Sequence, residues 1–169
     1  MSTATDTSAT GKSTRGSGPL SVGEATRTLA LPQAPYADAV HAALDAVGMV
    51  PAVLEVGLRD TRPRTPELFL RLVWPAGHAA LAEAVTGAGL TLAWSHVTGW
   101  SAHNADDEAE LLDVDPLAAP QVIAAAAEVL TAQALTRWSP PDDAPTRWAE
   151  AVYLDLALVR FEERDTPWC

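Results

Sequence analysis

The chain has 169 residues and a formal net charge of −11, from 22 acidic and 11 basic side chains. Residues 1–34 carry a net charge of +1, so the rest of the chain carries −12. A domain this acidic repels phosphate backbones, which argues against nucleic-acid binding. No segment approaches the roughly 18 consecutive apolar residues of a membrane span, and the start lacks the apolar stretch of a secretory signal. We therefore expect a cytoplasmic protein.

Composition divides the chain into a tail and one domain. Residues 1–34 are rich in Ser, Thr and Gly and poor in large apolar side chains, which predicts a disordered N-terminal tail. The tail contains Gly11-Lys12-Ser13, similar to the end of a phosphate-binding loop. Asp6 takes the place of the first glycine of that motif, and no strand precedes it, so we reject a nucleotide site. Residues 35–165 have the size and apolar content of a single domain.

The domain begins with helical and strand patterns in alternation. Pro35 suits the first turn of a helix, and Gly48 suits its end. Proline at 120 similarly starts a later helix, since it would break one that began at Pro116. The predicted elements are a helix at 35–47, strands at 52–58 and 67–74, a helix at 75–88, strands at 90–95 and 100–103, a short strand at 111–114, and helices from 120 and from 145 to about 163. This order predicts an α+β fold, an antiparallel sheet of four to five strands with helices mainly on one face.

The segment Gly89–His103 is the centre of this prediction. Leu90, Leu92 and Trp94 alternate with small or polar residues, as in a half-buried strand, and Gly99 suits a tight hairpin turn. We expect Trp94 to be a core residue. Trp100, on the returning strand, could instead face a partner, because a hairpin can present one aromatic side chain outward.

Two charged segments lie in the connections. Arg59, Arg62 and Arg64 fall between the first two strands, in a stretch whose prolines are expected to prevent strand pairing. Residues 106–115 contain six acidic side chains and no basic one. The arginines suit either a solvated loop or a clamp for an anion or an acidic partner. The two segments could also pair with each other, within one chain or between chains.

The segment from 145 to 163 is apolar on nearly all sides of a helix. Such a helix is either central to the core or covered by another chain. Leu154, Leu156 and Leu158 also alternate as in a strand, so a strand is the alternative interpretation of 151–161.

Candidate residues for chemistry are few. His96 and His103 flank the hairpin, with acidic residues close behind, but a strand of four or five residues would separate the two imidazoles by more than about 12 Å. No GxSxG motif is present, and Cys169, the only cysteine, has no fixed base beside it in the sequence. We therefore predict no catalytic residue, no metal site and no cofactor.

Three segments carry a family resemblance: YADAVHAAL at 36–44, the dipeptide Gly99-Trp100, and AAPQVIAAAAEVL at 118–130. Over residues 35–135 the chain resembles a family of small actinobacterial domains of unknown function. The resemblance implies a leading helix, paired strands and a closing helix, and it implies no activity.

These patterns favour a non-enzymatic protein-binding or adaptor domain, antitoxin-like or chaperone-like at most. Its partner would be another protein chain or a second copy of itself. The alternative is a small enzyme or metabolite-binding protein with a pocket near the 94–103 hairpin. The expected partner-binding residues are Arg59, Arg62, Arg64, Trp100, Trp148, Tyr153 and Phe161.

Overall fold

The structure, a computed structural model, describes residues 31–62, 65–106 and 108–165. Residues 1–30, most of the predicted tail, lie outside the described residues, and so does Arg64. Gln33 belongs to the folded part: it is buried, and its side-chain amide donates a 2.8 Å hydrogen bond to the carbonyl oxygen of Gly57.

Three helices and five strands make up the described chain. In order they are α1 (Ala34–Ala46), β1 (Val53–Arg62), β2 (Thr65–Trp74), β3 (Leu90–Ser95), β4 (Gly99–His103), β5 (Ala109–Leu111), α2 (Pro120–Ala132) and α3 (Ala151–Asp165). The strands form one sheet in sequence order, and every neighbouring pair is antiparallel. The α+β prediction is confirmed. None of the described helices combines the length and apolarity needed to cross a membrane.

Strand alternation gives the sheet a covered face and an open face. Leu68, Leu70 and Leu72 of β2 are buried on the face that packs against the helices. Arg71, between them, points to the other face and is exposed. β2 therefore has one buried face and one face that points away from the helices.

The β3–β4 hairpin has the predicted turn and the predicted core tryptophan. Gly99 has a φ of +73°, a conformation that residues with a Cβ rarely adopt. Trp94 and Trp100 lie directly opposite each other, and each is only 1% exposed. Trp94 is a core residue, as expected. Trp100 is a core residue as well, and its expected contact with a partner stays a prediction.

An aromatic cluster lies between the sheet and the helices. We define it as Tyr36, Trp94, Trp100 and Trp148. The Tyr36 ring centroid lies 5.0–6.2 Å from those of the three tryptophans. Its hydroxyl accepts a hydrogen bond from Trp100 Nε1 (3.1 Å) and donates one to the carbonyl oxygen of Ala118 (2.8 Å). Both polar atoms of this buried contact are therefore satisfied.

The predicted helix at 75–88 is wrong, because this segment is a series of turns. Gly77 has a φ of +80°, and its N–H donates to the carbonyl oxygen of Thr86, which folds the segment back on itself. Leu81 and Val85 are nevertheless buried. Leu81 and Val85 are four residues apart, a spacing typical of one face of a helix, but here both side chains are buried by turns that face the core.

The connection between the first two strands is also shorter than predicted. β1 continues to Arg62 and β2 starts at Thr65, so Arg59 pairs with Glu67 and Asp60 with Pro66. Pro66 is tolerated because β3 pairs with β2 only from Phe69 onward, so a missing N–H there removes no bond to β3.

Two boundaries near the C-terminal end differ from expectation, and one agrees. The last strand is Ala109–Leu111, slightly earlier than predicted, and α2 starts at Pro120 as predicted. α3 is a helix, not a strand, but it starts at Ala151 instead of 145. Arg147 instead forms an antiparallel β-bridge with Ala118, and the N–H of Trp148 donates to the carbonyl oxygen of Leu117. The chain just before α3 is therefore extended at these residues.

Candidate functional site

The two faces of α3 have different environments. Ala151 and Leu154 point inward and are buried, while Leu158 and Phe161 pack partly against the core. Four apolar side chains point outward into solvent. They are Val152 (56% exposed), Tyr153 (73%), Leu156 (55%) and Val159 (52%), and we call them the outer face of α3.

The spacing of the outer face makes it continuous. Val152, Leu156 and Val159 are four and three residues apart, which places them in one row along the helix, with Tyr153 beside it. At these exposures the four side chains present roughly 400 Å² of largely apolar surface, which is within the range of the largest apolar patch on a typical monomer. Patches of this size on a monomer are often functional.

Charged residues border the outer face. Arg160 lies one turn after Leu156, and Glu163 one turn after Val159, and both are exposed. An apolar centre with a charged border is the usual composition of a protein–protein interface.

Both ends of α3 are fixed to the body of the domain. Before its first turn, Arg147 donates two hydrogen bonds to Asp115 (2.8 and 2.9 Å) and a third to Asp155 on the helix. These bonds raise the pKa of Arg147. Near the other end, the Phe161 ring packs edge-on against His96, with centroids 5.5 Å apart. The helix that carries the outer face is thus attached to the body of the domain near both of its ends.

The expected partner-binding residues that the structure describes lie in four environments, one of which is the core, where Trp100 is buried. Only Tyr153 lies on the outer face. Trp148 and Phe161 belong to the inner side of the same region, each in contact with another aromatic ring. Arg59 and Arg62 lie on β1, where Arg59 forms a 3.0 Å ion pair with Glu67.

Sequence reasoning missed three residues of the outer face: Val152, Leu156 and Val159. Their spacing of four and three residues was a readable signal. It was obscured because Leu154, Leu158 and Phe161 form an equally apolar row on the inner side. Periodicity alone cannot show which of two apolar rows faces the core.

The open face of the sheet carries a serine and a histidine within hydrogen-bond distance of each other. Ser101 Oγ lies 2.8 Å from His103 Nε2, on the strand next to β3. The pKa of His103 is lowered, first by its partial burial and then by the positive charges of Arg59 and Arg71. A neutral imidazole can accept the serine proton, which is the first requirement of a nucleophile–base pair.

The two histidines of the hairpin lie on opposite faces of the sheet. His96 is on the helix side, where its Nδ1 accepts a hydrogen bond from the N–H of Leu68 (3.1 Å) and its ring meets Phe161. His103 is on the open face beside Ser101. The two cannot share one metal ion. Within the described ranges, no group of three or more His, Cys, Asp or Glu side chains is placed to hold a metal.

Two of the cavities are lined mainly by small or aliphatic residues. One of about 490 Å³ lies between α1 and the chain at 145–149, with alanines along α1 and Trp148 at its wall. Another of about 210 Å³ lies between residues 84–90 and Asn104 to Glu108. Neither is lined by Ser101 or His103, and the second is lined by Leu90 and Asn104 at the open end of the β3–β4 hairpin.

Comparison with protein-family models, with curated proteins and with solved structures finds no match. The resemblance to the actinobacterial family therefore stays a prediction.

Proposed function

We propose that the chain is a protein-binding domain whose contact surface is the outer face of α3. In this proposal it acts as an adaptor, through contact with another protein chain and without a reaction of its own. The supporting observation is the row of exposed apolar side chains on a helix whose ends are fixed.

The energetics agree with this role. Burying roughly 400 Å² of apolar surface in a partner stabilises a complex by about 10 kcal/mol before the costs of association, at about 25 cal/mol per Å². Tyr153 has the side chain best suited to anchor such a contact, because tyrosine combines a large apolar ring with a polar hydroxyl.

The charges around the surface describe the partner. The domain is strongly acidic, and its last helix presents both Arg160 and Glu163 at the border of the outer face. A partner with an apolar groove and a net positive charge would be attracted at long range and oriented by this border.

The experiment compares three bait proteins in an affinity capture from the source cell, followed by binding measurements with the purified partner. Leu156→Glu places a charge in the outer face. Leu111→Glu is the matched control, because Leu111 is also an exposed leucine (65%) but lies on β5 and points to the open face. We expect the control to bind as the wild type does and Leu156→Glu to bind at least tenfold more weakly.

Equal binding by Leu156→Glu and the wild type would overturn the proposal. Circular dichroism of each bait checks that the loss of binding is not a loss of folding. Because the mutated side chain is more than half exposed, its replacement is expected to change the unfolding free energy by no more than about 0.5 kcal/mol.

A second candidate function follows from the contact between Ser101 and His103. The pair would make the open face a hydrolytic or metabolite-binding site, with serine as nucleophile and histidine as base. A fluorophosphonate probe tests this directly, because it labels only activated serines. Labelling that disappears in Ser101→Ala and in His103→Gln would support it, and the absence of labelling in the wild type would reject it.

A further inference from the structure

Within the described part of the chain, β1 is the first strand of the sheet and pairs with another strand on one side only. It is ten residues long, and among the described residues no strand pairs with its outer side. Long exposed edges recruit other strands, because their free N–H and C=O groups form a template for pairing. The question is which strand could pair with this one.

The residues whose backbone groups point outward can be identified from one bond. The N–H of His96 donates to the carbonyl oxygen of Leu68 (3.2 Å), so even-numbered residues of β2 direct their backbone groups toward β3. Odd-numbered residues of β2 therefore bond to β1. The carbonyl oxygen of Val73 does so, since it accepts from the N–H of Ala52 (2.9 Å).

On β1, the odd-numbered residues lie opposite odd-numbered residues of β2, for example Gly57 opposite Phe69. The odd-numbered residues of β1 thus bond inward to β2. The even-numbered residues direct their N–H and C=O groups away from the sheet. They are Leu54, Val56, Leu58 and Asp60.

We propose that the chain forms a symmetric dimer in which β1 pairs antiparallel with β1 of a second copy, around a two-fold axis at Gly57. The ten strands of the two copies would then form one continuous sheet. This dimer goes beyond the binding role proposed for α3. The outer face of α3 would stay exposed in each of the two copies.

Charge complementarity selects the second copy as occupant. Around an axis at Gly57, Glu55 stands opposite the partner's Arg59, and Arg59 opposite the partner's Glu55. Within one copy Glu55 already pairs with Arg71 (3.6 Å) and Arg59 with Glu67 (3.0 Å). The dimer would join these pairs into rows of alternating sign across the seam, and opposite charges that face each other across two strands stabilise the pairing.

The covered side of the sheet is self-complementary as well. Leu58, which is 52% exposed in one copy, stands opposite the partner's Val56 in the same register. Because 56 and 58 are both even-numbered, they form a hydrogen-bonded pair that uses the free outward groups. Pairing would therefore cover an exposed leucine and satisfy the edge at the same time.

Other registers lack this match. Antiparallel pairing must join even-numbered residues, so the axis can move only in steps of one residue along β1, to 56 or 58. An axis at 56 places Arg59 opposite the partner's Val53, and an axis at 58 places it opposite the partner's Gly57.

Disulfide trapping tests the register in full-length chains that carry Cys169→Ser. One chain carries Glu55→Cys and the other Arg59→Cys, and the two are mixed and oxidised. In the proposed dimer the new cysteines form a non-hydrogen-bonded pair with Cα atoms about 4.5 Å apart, which suits a disulfide. The other seam position keeps its native Glu55–Arg59 pair.

We expect a covalent dimer from the mixture and none from either chain alone, because equivalent cysteines would be about 13 Å apart along the strands. A mixture that stays monomeric overturns the proposal. Equal cross-linking of each chain alone overturns the register on which it rests.

Sedimentation separates this dimer from the contact proposed for α3. Leu58→Lys places a charge against the seam and should convert the wild-type dimer to a monomer, whereas Tyr153→Glu should sediment as the wild type does. A Tyr153→Glu monomer together with a Leu58→Lys dimer would reject pairing through β1 and would assign self-association to α3. A monomeric wild type would reject the dimer and leave the α3 proposal standing.

Discussion

Tyr36 and Tyr153, the two tyrosines of the chain, lie in opposite environments. Tyr36 is buried in the aromatic cluster, where its ring meets three tryptophans and its hydroxyl makes two hydrogen bonds. Tyr153 is 73% exposed on the outer face of α3. The same side chain therefore serves stability at one position and is available for recognition at the other. This difference can be measured, because each site predicts its own response to mutation.

The largest effect is expected at Trp94, which shares the cluster with Tyr36. Truncation of a buried tryptophan costs about 3–5 kcal/mol, a large part of the roughly 5–15 kcal/mol that stabilises a domain of this size. Its Nε1–H also donates to the carbonyl oxygen of Pro116 (2.6 Å), which Trp94→Ala would leave unpaired. We expect a poorly soluble or partly unfolded protein. An unchanged denaturant midpoint would contradict the account of the core.

A matched pair of variants compares the two tyrosines directly. Tyr36→Phe keeps the ring but removes the hydroxyl, leaving Trp100 Nε1 and the carbonyl oxygen of Ala118 without their partner. A buried polar group left in this way costs about 1–3 kcal/mol. Tyr153→Phe should change the unfolding free energy by less than about 0.5 kcal/mol. Urea unfolding of both proteins gives the comparison, and equal losses would show that the two sites do not differ as described.

The dependence of stability on alkaline pH also distinguishes Tyr36 from Tyr153, with a smaller expected effect. Burial raises the pKa of Tyr36 above its ordinary value of 10.0. The unfolded chain therefore loses this proton at lower pH than the folded chain does, and stability falls as the pH rises above about 10. Tyr36→Phe should lose this part of the alkaline decline, while Tyr153→Phe should keep it. Unfolding midpoints at pH 8, 9.5 and 10.5 measure the difference.

The smallest effect is expected on the open face, at His103. Its pKa is lowered by partial burial, and then by Arg59 and Arg71. The unfolded chain binds the proton more readily, so stability should fall as the pH drops below about 6.5. His103→Gln should flatten this small acid decline. An acid decline that is identical in the variant would show that His103 does not contribute to it.

The sequence predicted those parts of the fold that local signals determine. Gly99 marked the hairpin turn, Pro120 marked the start of α2, and the alternation around Trp94 identified a core strand. The segment 75–88 was not predictable in this way, because a tertiary contact decides its shape. The N–H of Ala82 donates to the carbonyl oxygen of Thr131 on α2, a partner that lies about fifty residues away.

The candidate site was predictable only in part, for a similar reason. The apolar character of 148–161 suggested a partner, and Tyr153, one of the residues expected to bind it, is exposed. The burial of Trp100 was not predictable from local pattern, since its indole N–H donates to Tyr36, which is 64 residues away in sequence. Charge self-complementarity at the edge of the sheet required the register of β1, which no local pattern contains.

The most direct test of the central claim is the unfolding free energy of Tyr153→Glu, measured by circular dichroism in guanidinium chloride. If the outer face of α3 is a binding surface, the variant should unfold within about 0.5 kcal/mol of the wild type while losing its captured partner. If Tyr153 instead supports the core, a glutamate there should cost several kcal/mol, and that result would contradict the account.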